Sequence, residues 1–94
     1  MIEVTRVGCD AKFEFEVAVR QSGSETRHRV TMDKKTWDRL GEGRHAPEDC
    51  IKASFRFLLD REPKESILAG FDVALISRYF PEFERDLPNY FSRS

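Results

Sequence analysis

The stretch KFEFEVAVR, residues 12–20, alternates without a fault: Phe13, Phe15, Val17 and Val19 share one parity, and Lys12, Glu14, Glu16, Ala18 and Arg20 the other. Successive side chains of a strand leave opposite faces of the pleat, so this period of two predicts a half-buried β-strand. A sheet with one apolar face has to be covered, which commits the chain to at least two layers. The residues QSGS at 21–24 carry turn chemistry, and ETRHRVTM then returns with Val30 and Met32 on the apolar parity. A loop of that length sets Val17 opposite His28 on the apolar side and Glu16 opposite Arg29 on the outer side. Upstream, IEVTRV reads as a first strand joined to the second through GCDA. Residues 1–32 are thus expected to form a three-stranded antiparallel meander.

After Met32 the period changes. Asp33 is placed to cap a short helix, KKTWDRL, which Gly41 ends, and GEGRHA reads as a connector. Pro47 suits the first turn of a second helix running to about Asp60. At 100° per residue its Cys50, Ile51, Ala53, Ser54, Phe55, Phe57, Leu58 and Leu59 sweep one broad arc, and Lys52, Arg56, Asp60 and Arg61 fill the other. Pro63 cannot extend that helix, because it lacks an amide hydrogen. It starts a turn, PKESIL, and Gly70 permits a sharp reversal. Asp72 is placed to cap a third helix carrying Val73, Leu75, Ile76, Tyr79 and Phe80, and Pro81 ends it before a last turn, EFERDL. The expectation is an α+β domain over residues 1–94. It has a meander at 1–32, a layer of two to three helices at 33–87 and a tail at 88–94 in which Tyr90 and Phe91 are able to dock. The expected core includes Phe13, Phe15, Val17, Val30, Trp37, Ile51, Phe55, Leu58, Ile76 and Phe80.

The run SFRFLLDREPKESIL, followed by FD and YFPEF, resembles a family of short bacterial proteins of uncharacterised function, over roughly residues 45–84. The resemblance implies a bacterial cytosolic protein and carries no activity, cofactor or catalytic residue with it.

Composition narrows the chemistry. Sixteen Lys and Arg against seventeen Asp and Glu leave the chain near neutrality, without the basic excess of a dedicated polyanion binder. Cys9 and Cys50 form no local pair and suggest no disulfide framework. The first ten residues lack the basic start and apolar run of a signal peptide, and no stretch has the length of apolar sequence that spans a bilayer. A soluble cytoplasmic protein is expected.

Cys9, Cys50, His28 and His45 are too scattered for a zinc site, so no metal and no cofactor are expected. Cys50 falls inside the apolar arc, where a cysteine acts as a small hydrophobe. Cys9 with His28 is the better Cys–His candidate, against the plainer reading of His28 as a satisfied sheet-edge histidine. Glu14 and Glu16 belong to a solvated sheet face, and Asp60 or Glu62 is spaced to pair with Arg56 or Lys64. GEGRHAP before a helix lacks the Lys-Ser/Thr of a phosphate loop and reads as a linker.

Two surfaces remain. The C-terminal aromatics Tyr79, Phe80, Phe83, Tyr90 and Phe91 are more than one small core obviously holds, and surplus aromatics are what binding surfaces use. They predict a protein interface, by self-association or with an unidentified partner. Residues 20–45 hold seven Lys or Arg against four Asp or Glu. Within them Arg20, Arg27, Arg29, Lys34 and Lys35, with Arg39 and Arg44, are the alternative, a nucleic-acid contact. Phe13 and Phe15 lie on the core parity, so no aromatic base-stacking platform is expected on the outer face. The function expected is a non-catalytic protein-binding or regulatory module, not an enzyme, with a nucleic-acid-associated regulator as the alternative.

Overall fold

The computed structural model describes residues 1–91. Three long strands, β1 (Ile2–Cys9), β2 (Lys12–Gln21) and β3 (Ser24–Asp33), pair antiparallel in sequence order. The register is the one that alternation predicts, with Val17 opposite His28 and Glu16 opposite Arg29. The connection is tighter than four residues, because Gln21 and Ser24 already pair. Ser22 and Gly23 make the turn alone with φ of 54° and 78°, the doubly positive geometry that matches the twist of a hairpin. In β1 the register shifts between Arg6 and Gly8, so Val7 is the extra residue of a bulge and stands exposed at the sheet edge.

Helix α1 (Lys34–Gly41) starts at Asp33, whose carboxylate accepts from the Thr36 amide at 2.7 Å. It stops where Glu42 turns left-handed, at φ 51°. Gly41 is closely packed: a Cβ there would lie 3.3 Å from both Cys50 Sγ and Trp37 Nε1, so those side chains would have to give way slightly. Helix α2 (Pro47–Leu59) is buried on nearly every side, which explains the breadth of its apolar arc. Phe55 packs on His28 of β3, and Phe57 packs on the opposite side against Phe80, Phe83 and Tyr90. The helix is a middle layer between sheet and C-terminal segment.

The sheet has a fourth strand that period reading missed. Beyond a 3-10 turn at Lys64–Ser66, strand β4 (Gly70–Asp72) adds to β3 in parallel, placing Phe71 beside Val30. Three residues are too few to show alternation; they become a strand because β3 offers an open edge, reached through the α1–α2 crossover. Gly70, expected as a reversal, is the first strand residue, and Asp72, expected as the cap of the third helix, is the last. The N-cap position falls to Val73, which has no side-chain cap, and the Asp72 carboxylate instead accepts from the Ala74 amide at 3.0 Å in a local turn. Helix α3 (Ala74–Tyr79) is succeeded by two single turns, α4 (Phe83–Asp86) and α5 (Pro88–Phe91). Five helices among the described residues therefore replace the two to three expected, and the three-stranded meander is a four-stranded, mostly antiparallel sheet.

Residues 88–91, expected to belong to a tail, dock; residues 92–94 lie outside the described residues. Tyr90 is buried, and its hydroxyl donates to Asp60 at 2.7 Å. Of the ten expected core residues, Trp37 and Phe80 are only partly buried and pack at the rim. Trp37 keeps its indole N–H within reach of the His45 carbonyl, 2.9 Å away. A tryptophan holding a backbone acceptor near the surface avoids burying an unpaired donor.

Candidate functional site

The outer face of the sheet carries Arg20, Arg27 and Arg29, and each is matched by carboxylates on the same face. Arg20 reaches Glu25 at 2.6 Å and Glu3 at 3.5 Å, and Arg27 reaches Glu25 at 2.8 Å and Glu16 at 3.3 Å. Arg29 reaches Glu14 at 2.9 Å and Glu16 at 3.4 Å, and Lys12 reaches Asp72 at 3.1 Å. Cross-strand register makes this network, since outward residues of paired strands stand side by side. Hydrogen bonds from Arg20 and then Arg27 hold the Glu25 carboxyl below its usual range, and Glu25 in turn raises Arg20. Burial pushes Asp72 up, yet bonds from Thr31, the Ala74 amide and Lys12 outweigh it and leave the carboxyl below its usual range. Lys34 and Lys35 are exposed in the first turn of α1 and make no ion pair among the described residues. The cations of the alternative reading are thus divided between a neutralised sheet face, the start of α1, and Arg39 and Arg44 at and beyond its end, where Arg39 pairs with Glu84 at 2.9 Å.

The thiol and imidazole candidates do not converge. Cys9 stands opposite Phe13 and His28 opposite Val17, four residues along β2 and roughly 13 Å at the rise of a strand. Cys50 is fully buried, and burial, then the charge of Asp49, pushes its thiol up to about 12, away from thiolate chemistry. His28 is 4% exposed, an internal rather than an edge residue, because β4 covers its strand. Its Nδ1 lies 2.7 Å from the Leu68 carbonyl and its Nε2 2.9 Å from Thr26 Oγ1. Nδ1 donates to the carbonyl, and the Thr26 hydroxyl, able to donate or accept, satisfies Nε2. His45 is stacked on Phe91, with centroids 3.7 Å apart. Among the described residues no group of three or more His, Cys, Asp or Glu converges in a way that would hold a metal. None of the helices described is long and apolar enough to cross a membrane.

The five aromatics predicted to form an interface divide. Phe83 is 1% exposed and Tyr90 8%; both are core residues, gripping Phe57 edge-on at 5.0 and 5.7 Å. Arg61 closes this cluster by lying 3.6 Å over the Phe57 ring and binding Glu82 and Asp86. Phe91 is half-buried against His45. Tyr79 and Phe80 remain, and they line an open groove of about 210 Å³ with Leu58, Ile67, Leu68, Phe71, Leu75 and Ile76. Leu68 at 49% and Tyr79 at 67% exposure stand on its rim. The groove forms where the 3-10 turn, β4 and α3 meet the end of α2. The turn directs Ile67 inward and leaves Leu68 outward, and His28 anchors the Leu68 carbonyl from below.

Sequence reasoning found Tyr79 and Phe80 but missed Leu68, Phe71 and Glu62, the last of these also a groove-lining residue. The signal available was the doublet Ile67-Leu68 inside a turn, where one side chain faces in and its neighbour faces out. The pairing of Glu62 with a helical neighbour does not form: Lys64 binds Glu65 at 2.7 Å, and Arg56 donates to the Tyr90 carbonyl. Comparison of the chain with protein-family models, with curated proteins and with solved structures finds no match.

Proposed function

We infer that this protein is a non-catalytic binding module that holds an apolar side chain of another protein in the groove between the 3-10 turn, β4 and α3. The observation that carries this reading is the pairing of an open apolar groove with two large apolar side chains, Leu68 and Tyr79, left exposed at its rim. Contiguous apolar surface kept in water is the mark of a contact site. At about 210 Å³ the groove falls below the roughly 300–1,000 Å³ of pockets that enclose a small molecule, and suits a protruding side chain. The ion pairs of Arg20, Arg27 and Arg29 weigh against the nucleic-acid reading, because phosphates would have to displace carboxylates already in place. A bacterial cytosolic setting, suggested by the resemblance of residues 45–84, belongs to the same proposal.

The test is differential capture from an extract of the source cell on immobilised wild-type protein, a Leu68→Ser/Tyr79→Ser variant and an Arg27→Ser/Arg29→Ser variant. Proteins held by the wild type and the sheet variant but lost from the groove variant are expected. Nucleic acid eluting from the wild type and lost with the arginines would overturn the reading. So would proteins retained equally by all three, or a concentration-dependent mass showing that a second copy fills the groove.

A further inference from the structure

Among the described residues lining the groove, Glu62 brings the one carboxylate. It is half-buried just beyond α2, and its carboxylate makes no hydrogen bond or ion pair among the described residues. Its nearest cations in sequence are committed elsewhere: Arg61 to Glu82 and Asp86, Lys64 to Glu65. An unpaired carboxylate is tolerable while water fills the groove. A purely apolar occupant would strip that water and leave the charge unpaired, which disfavours it. An occupant carrying its own carboxylate would fare worse. An occupant that brings a cation converts the penalty into a charge-assisted bond.

We propose that the groove selects a partner segment bearing a Leu- or Phe-like anchor with a lysine or arginine close to it in sequence, the anchor seating between Leu68, Phe71 and Tyr79 and the cation pairing with Glu62. This rests on the groove being the binding site and adds the chemistry of its partner. Specificity of this kind comes as much from rejection of acidic segments as from attraction of basic ones.

The probe is a displayed library of random heptapeptides, selected in parallel on the wild type, on Glu62→Gln, on Glu62→Lys and on Leu68→Ser/Tyr79→Ser, with urea midpoints confirming that each variant folds. Wild-type selection should enrich Lys or Arg near an apolar anchor, and Glu62→Lys should enrich Asp or Glu at the same spacing. A wild-type peptide should bind Glu62→Gln roughly tenfold more weakly, the loss of one charge-assisted bond. Enrichment of Lys and Arg that persists on Glu62→Lys, while Leu68→Ser/Tyr79→Ser loses the peptides, would overturn the charge reading and leave the groove standing. Peptides indifferent to both changes, or no enrichment at all, would overturn both.

Discussion

The outer sheet face and the groove are built from opposite materials, and they leave opposite accounts open. On the sheet, β2 and β3 present Arg27 and Arg29 to Glu14, Glu16 and Glu25, so each cation finds its counter-charge within the same molecule. At the groove, Leu58, Ile76 and Phe80 make a wall on which Leu68 and Tyr79 stay in water and Glu62 has no ion pair among the described residues. Charge density therefore marks a face whose charges are already matched. The informative residues are those whose needs the chain does not meet by itself.

The contrast also ranks the expected effects of substitution. Phe57→Ala should do most damage, because its ring is the shared contact of Phe80, Phe83, Tyr90 and the Arg61 guanidinium. A loss of about 3–5 kcal/mol by urea unfolding is expected, with the groove wall dispersed along with the C-terminal turns. A loss near 1 kcal/mol would mean that the C-terminal layer is only loosely held. Next comes Tyr90→Phe, which keeps the ring and removes the hydroxyl that donates to Asp60. About 1 kcal/mol is expected, read in the same assay.

The smallest effect belongs to the sheet face. Arg27→Ser should lower the urea midpoint at pH 7 only slightly, since exposed ion pairs contribute little, and the two proteins should converge in acid. Its signature lies in acid. A carboxyl whose folded pKa is depressed stabilises the fold above its unfolded value and loses that contribution as pH falls through the folded one. Glu25 is depressed by Arg20 and Arg27, so wild-type stability should be level above about pH 5 and fall below about pH 4. With Arg27 gone, less is lost over that range and the acid limb should be shallower. An unchanged limb would show that Arg27 does not hold Glu25 in solution.

Much of this architecture could be read from particular residues. The alternation of Phe13 to Val19 specified the core face and the β2–β3 register, and Asp33, Pro47 and Pro63 marked real boundaries. Strand β4 escaped because Gly70–Asp72 is a strand only by virtue of its neighbour. The C-terminal aromatics were legible as a surplus but not as individuals. Phe83 and Tyr90 are core because Phe57, Asp60 and Arg61 converge on them from α2 and the residues after it, a tertiary fact with no local period. Leu68 and Glu62 were invisible for a related reason: which member of a turn faces water is decided by what packs beneath it.

The most direct measurement is amide chemical-shift mapping of the wild-type protein titrated with a captured protein segment. Shifts should cluster at Glu62, Leu68, Phe71, Leu75 and Tyr79 and leave the sheet face still. Shifts concentrated on Glu16, Arg27 and Arg29, with the groove unmoved, would contradict the account.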